Sequence, residues 1–126
     1  MLDHLRQKAA QALASAGSVI LSSCGPAGIQ SGRVSSASEA LILYVFIPRS
    51  SDHLLNLEHR PEVAAATDGW ELLGTARVLA GDEVPAAIYA SERCANRAWS
   101  CVVEIRPIRL TFHSPTGLGN VETIDF

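Results

Sequence analysis

Residues 49–53 read Arg-Ser-Ser-Asp-His: a guanidinium, two hydroxyls, a carboxylate and an imidazole in five consecutive positions. They lie between the apolar run ALILYVFI at 40–47 and the leucine-bearing stretch LLNLEHRP at 54–61. A strand is expected to give way to a helix there. Two chemistries suit such a junction. Ser50 or Ser51 can cap the helix by accepting an orphan backbone N–H, with Asp52 favourably placed in the first turn. The same helix start can also hold an anion, such as a cofactor phosphate, through its amides and a bidentate Arg49. Capping and anion binding can coexist at one helix start.

Other chemistry-bearing residues are sparse. Lys8 is the sole lysine, so an anion site elsewhere must be built from Arg, His, hydroxyls and backbone amides. His53 reads as a surface histidine or as a ligand of that anion. Arg33 and Ser31 alternate onto one side of the stretch IQSGRV at 29–34. His4, His53, His59 and His113 have no metal-ligand spacing, and Cys24, Cys94 and Cys101 form no CxxC pair. The thiols read as buried or half-buried and reduced. No acid–base pair or nucleophile constellation stands out.

The background composition is that of a globular domain. The chain has 126 residues, 48% of them hydrophobic and 18% charged, which suits a single domain over 1–126 with one core. A net charge of −3 with scattered basic residues argues against nucleic acid as a partner. The longest apolar run has eight residues, against the roughly 20 needed to span a bilayer, so no membrane segment is expected. With no secretory signal pattern at the start, the expected location is the cytoplasm.

The elements that must position these residues follow from periodicity. Leu2, Leu5, Ala9 and Leu13 make one face of a helix over 2–16, with Gly17 as a left-handed stop. SVILSSC at 18–24 reads as a strand, GPAG at 25–28 as a turn, and IQSGRV as the antiparallel return. A loop, SSASE, leads to the strand at 40–47, whose continuous apolar character requires cover on both faces. Pro48 ends it. A helix of two turns follows, with Leu54, Leu55 and Leu57 on its buried side and Asn56 satisfying backbone groups at its end. Arg60-Pro61 stops it.

EVAAAT at 62–67 and WELLGTARVL at 70–79 pair through Asp68-Gly69. Trp70, Leu72, Ala76 and Val78 share a face, Trp70 serving as packing in the core or at a dimer interface. Gly74 marks a bulge or a close backbone approach. Residues 84–98 are expected to form an amphipathic helix with Pro85 in its first turn. CVVEIRPIRLTF at 101–112 is a long strand that Pro107 confines to an edge or a bulge. Tight antiparallel connections dominate, so the expected fold is mainly β with peripheral helices, a small antiparallel barrel.

The order of three stretches, NLEHRPEVAAAT at 56–67, DGWELLGTARVL at 68–79 and VVEIRPIRLTF at 102–112, resembles the pyridoxamine 5'-phosphate oxidase-like, FMN-binding split-barrel family. The resemblance implies a six-stranded Greek-key split β-barrel that forms a homodimer. It implies FMN, or in some members a deazaflavin or heme, in clefts at the dimer interface, and flavin-dependent oxidoreduction of a small-molecule substrate. Carried onto this chain, it places the flavin phosphate at Arg49, Ser50, Ser51 and His53, with His53 where the family usually has a lysine. It places the strand bearing Ser31 and Arg33 along the flavin cleft. The Pro-Thr-Gly-Leu-Gly stretch at 115–119 would reach the partner's cleft. A flavin would carry the redox chemistry while the protein binds and orients it. A cofactor-free split barrel that binds another small molecule or a protein is the rival reading, since a histidine is a weaker anchor for phosphate than a lysine.

Overall fold

The computed structural model describes residues 2–91, 99–114 and 122–126. An N-terminal helix α1 (Leu2–Ser15) is followed by the strands β1 (Ser18–Gly25), β2 (Gly28–Glu39) and β3 (Ile42–Pro48). Helix α2 (Asp52–His59) crosses to β4 (Glu62–Ala66) and β5 (Trp70–Val78). A 3-10 turn (Gly81–Glu83) and the short α3 (Ala86–Tyr89) lead to β6 (Ser100–Phe112), and β7 (Thr123–Asp125) ends the chain. All pairings are antiparallel, in the order β3-β2-β1-β4-β5-β6-β7. The additional β3–β6 ladder, from Leu43↔Ile105 to Pro48↔Ser100, closes the first six strands into a barrel. The first four strands lie in the order 4-1-2-3, which is a Greek key.

The barrel interior is set by alternation. Val19 and Leu21 of β1, Leu43, Val45 and Ile47 of β3, Val63 and Ala65 of β4, and Trp70, Leu72 and Ala76 of β5 form one buried cluster. Ala9 and Leu13 of α1 complete it, with Leu5 packed at its margin. Leu5, Ala9 and Leu13 of the predicted helix face, and Trp70 as core packing, are therefore observed. β3 is covered on both sides as its composition requires. Its other face, Tyr44 and Phe46, joins Ala37, Leu79, Val84, Ile88 and Val102 in a second cluster beneath α3.

A bulge rescues the pattern of β6. Val103 and Ile105 point inward at odd positions, then Leu110 and Phe112 at even ones. The change of parity coincides with the register shift at Leu73/Gly74, where Leu73 pairs Arg109 and Gly74 pairs Pro107, leaving Ile108 unpaired. Regular alternation would have aimed Arg109 into the core. The bulge keeps it outside, where it meets Asp125 of β7 at 2.7 Å. Pro107 sits in this bulge, and a Cβ on Gly74 would lie 2.7 Å from the Arg106 carbonyl oxygen.

Several boundaries differ from expectation. The stretch SSASE is part of the long β2, and the turn to β3 is only Ala40-Leu41, with Ala40 forced to φ 53°. Gly17 is not left-handed, because the chain passes directly into β1 and the Gly17 carbonyl accepts from Ser36 N at 3.1 Å. Leu55 and Val78 are 42% and 40% exposed, and Cys24 is an exposed thiol. The helix expected over 84–98 is represented by Ala86–Tyr89, with Pro85 at its N-cap; residues 92–98 and the 115–119 stretch lie outside the described residues. A seventh strand, too short to register in the hydrophobic pattern, extends β6. Among the described residues no helix is long and apolar enough to cross a membrane.

Candidate functional site

Helix α2 starts as its sequence predicts and then turns differently. Ser51 is the N-cap, its hydroxyl accepting from His53 N at 3.2 Å, and Arg60 N closes the helix on the Asn56 carbonyl at 2.7 Å. The helix buries His53, Asn56 and Leu57, an i, i+3, i+4 set, rather than a face of leucines. His53 is 7% exposed, and its Nδ1 lies 2.6 Å from the Ser23 hydroxyl on the inward side of β1. Burial pushes the imidazole below its ordinary value, with the neighbouring Asp52 carboxylate opposing the shift. A neutral, inward-facing imidazole supplies no surface charge.

Asn56 is fully buried and works on the β1–β2 turn, not on the helix end. Its Oδ1 accepts from Ala27 N at 2.9 Å, and its Nδ2 donates to the Gly28 carbonyl at 2.9 Å and to Ser23 Oγ at 3.2 Å. Gly25 permits this approach, since a Cβ there would stand 2.9 Å from Asn56 Oδ1. Gly28, at φ 82°, makes the left-handed step that the turn requires. Ser23, Asn56 and His53 thus form one connected polar network between α2 and β1.

The predicted anion cluster is divided by this arrangement. Ser50 remains at the surface. Arg49 anchors its backbone to the Trp99 carbonyl at 2.8 Å, and its guanidinium lies 3.7 Å from Cys101 Sγ. There it lines a cavity of about 200 Å³ with Leu79, Gly81, Tyr89 and Cys101. Arg33 and Ser31 do share the outward face of β2. Ser31 meets Ser22 hydroxyl to hydroxyl at 3.2 Å, and Arg33 Nη1 donates to Ser18 Oγ at 3.0 Å. Arg33 lines a separate polar cavity of about 230 Å³ with Ile20, Thr67 and Asp68. Among the described residues none lines both cavities, and these residues do not join the two halves of the predicted site within one chain.

Two further features stand out. On the outer face of β6 the buried Glu104 receives Arg106 Nε at 2.9 Å and lies 3.8 Å from Arg77 Nε. Arg77 also pairs with Glu83, which accepts from Ala80 N, so the network ties the 3-10 turn to the barrel. Burial, and then the Glu104 carboxylate, push the adjacent Tyr44 phenol up. On the opposite side, Ile29, Leu73 and Ile108 are 81%, 43% and 50% exposed. With Cys24 and Ala64 they line an open apolar concavity of about 530 Å³. Among the described residues no group of His, Cys, Asp or Glu is arranged to hold a metal ion.

The architecture agrees closely with solved structures. General stress protein 26 from Bacillus anthracis str. Sterne superposes with a TM-score of 0.71 at 16% identity, over 98% of this chain and 99% of that one. A protein from Clostridium acetobutylicum related to general stress protein 26, of the pyridoxinephosphate oxidase family, superposes at 0.69 and 11% identity, over 99% and 96%. This chain has the pyridoxamine 5'-phosphate oxidase-like split-barrel fold. A heme binding protein from Mycobacterium smegmatis also shares it, with a TM-score of 0.70, 18% identity, and coverage of 93% of this chain but 57% of that one. No family model matches the sequence, and no curated protein matches it.

Within this split barrel the start of α2 is the segment that would meet a flavin phosphate, and its donors are turned elsewhere. The Ser51 hydroxyl is committed to the cap, His53 points into the molecule, and Arg49 leans toward Cys101. The exposed Asp52 carboxylate adds a negative charge in the first turn. The segment therefore does not close a phosphate cradle within one chain. The residues that reveal this were partly visible beforehand: Ser23 follows Val19 and Leu21 at an inward-facing position. A hydroxyl in that place demands a buried partner.

Proposed function

We propose that this protein is a homodimeric split barrel that binds a small molecule in clefts between its protomers. The observation that carries the reading is the apolar outer face of Ile29, Leu73 and Ile108, exposed among the described residues, with the polar cavity of Arg33 further along the same face. Pairing two such faces would bury the apolar strip and leave Arg33 near the rim, where interface arginines are favoured. The finer form of the reading is an FMN-dependent oxidoreductase. The fold favours it, and the start of α2 weighs against it. A phosphate held there would need residues from the partner chain to complete its donors.

The test is a flavin titration on the purified protein, read by fluorescence quenching alongside size-exclusion chromatography with light scattering. A dimer that quenches FMN saturably supports the finer reading. A dimer that shows no saturable binding at tens of micromolar sets FMN aside and leaves a cofactor-free binding barrel. A monomer under all conditions overturns the proposal.

The cofactor-free reading is favoured by one specific observation, the burial of His53 against Ser23, which withdraws a group from the predicted phosphate site. A heme or deazaflavin form is tested in the same way. For heme, His53 is withdrawn by its contact with Ser23, while His59 is exposed with Nδ1 held at 3.1 Å from the Leu55 carbonyl, leaving Nε2 outward. A Soret band on adding hemin that is lost in His59→Ala would support heme.

A further inference from the structure

The His53–Ser23–Asn56 network is more than packing, because one of its three members can change charge. Ser23 Oγ accepts from Asn56 Nδ2 at 3.2 Å and stands 2.6 Å from His53 Nδ1. If Nδ1 also donated, the Ser23 hydrogen would have no acceptor in a position only 4% exposed. The arrangement that gives the Ser23 hydrogen an acceptor has Ser23 donating to an unprotonated Nδ1, with the imidazole proton on Nε2. We propose that this contact is an acid-sensitive latch holding α2 on β1, so that protonating His53 releases α2 together with the β1–β2 turn that Asn56 clamps.

The surroundings support a switch rather than a permanent charge. On its own helix, Asp52 is the charged neighbour that favours the protonated ring. β1 brings Ser23 and the exposed Cys24, and β2 brings the Gly28 carbonyl through Asn56. β5, which also touches α2, turns the uncharged Leu72, Gly74 and Ala76 inward. No buried carboxylate among these elements compensates an imidazolium. Burial therefore holds the folded-state value below that of the released, water-exposed ring.

The sign follows from linkage. The open form binds the proton more readily, so the latch is intact above the ordinary histidine value and weakens as pH falls below about 6.5 toward the depressed folded value. Release of α2 also displaces Ser51 and the chain leading from Arg49. Anion binding at that helix start, by any ligand, would weaken over the same window.

Amide hydrogen exchange across pH 7.5 to 5, corrected for intrinsic rates, reads the latch without any ligand. The expected result is that protection of α2 and of the Ala27 amide falls by up to about tenfold for each pH unit below 6.5, the limit for one linked proton. α1 should show no such slope. His53→Asn, whose Oδ1 can accept from Ser23, should abolish the slope. A wild-type α2 with pH-independent protection, or an unchanged slope in His53→Asn, overturns the proposal. Should that variant fail to fold, imidazole NMR of the unaltered protein decides. A neutral Nε2–H ring well below pH 6.5 supports the latch, and ordinary titration near 6.5 with α2 still protected overturns it.

Discussion

The side chain most responsible for the local geometry is Asn56, a residue whose sequence neighbourhood suggested only a helix-end role. It is fully buried and satisfies two backbone groups of the β1–β2 turn and one hydroxyl. Truncation in Asn56→Ala leaves the part-buried Ala27 N and Gly28 carbonyl and the buried Ser23 hydroxyl without that partner; a fully buried group left so costs about 1–3 kcal/mol, and the part-buried ones less. Water will reach the turn and recover part of the loss, so chemical denaturation should show a net destabilisation of about 3 kcal/mol. A loss below about 1 kcal/mol would mean that the turn holds itself. The candidate site was only half legible for a related reason. Residue types reveal which groups can hold a phosphate, and Ser51 as cap was readable from its place before Asp52. The direction of His53 was not, because it depends on a hydroxyl thirty positions earlier in the chain. Pairings of that length leave no local periodicity.

At the level of strands and helices, the sequence signals succeeded where a steric rule forced a single answer. Gly74 and Pro107, both read as bulge residues, face each other across the β5–β6 register shift. Gly74→Ala would place a methyl 2.7 Å from the Arg106 carbonyl oxygen and 2.8 Å from Ile105 Cγ2. Backbone must move to accept it, and overpacking of this kind costs about 1–3 kcal/mol. Thermal unfolding should show that loss, and Gly74→Ser should lose at least as much. Deleting Ile108 tests the bulge itself: it removes the extra residue and leaves Arg109 outside with Leu110 and Phe112 inward. Pro107 then stands in a regular ladder, where it has no N–H to donate and Gly74 has no widened register to face. The deletion variant should be measurably less stable; one as stable as the unaltered protein would show that the bulge is dispensable. Boundaries were less legible because extended polar stretches such as SSASE look like loops until a partner strand is known. Ala40 illustrates the cost. Its φ of 53° is unfavourable for any residue with a Cβ, by about 1–2 kcal/mol. Ala40→Gly relieves that strain, offset in part by the freer unfolded chain, and should stabilise the protein by about 0.5–1 kcal/mol in the same denaturation assay.

For the whole molecule, closure of the barrel settles which faces are used and which are left over. The β3–β6 ladder consumes the edges of the six-stranded sheet, and α3 covers Tyr44 and Phe46. Among the described residues, nothing covers the outer face of β2, β1, β4 and β5 in this way. Its apolar residues lie in a row, Ile29 opposite Cys24, then Ala64 opposite Leu73, with Ile108 lifted out by the bulge. A monomeric protein seldom exposes a contiguous strip of this character, and burial of such area supplies roughly 25 cal/mol per Å² toward association. Lysine at Ile29, a position 81% exposed in one chain, adds charge to the strip without touching the core. Ile29→Lys should therefore change the unfolding free energy of an isolated chain by less than about 0.5 kcal/mol, as for an ordinary surface substitution. The same change should convert a dimer to a monomer by light scattering, because pairing would bury two uncompensated ammonium groups. A second substitution, Arg33→Ala, separates interface from cleft. It removes the donor to Ser18 at the polar end and should weaken ligand binding while leaving the dimer intact. Were Ile29→Lys to remain dimeric at micromolar concentration, the pairing face would have to be sought elsewhere, and the cleft beside Arg33 would lose its second wall.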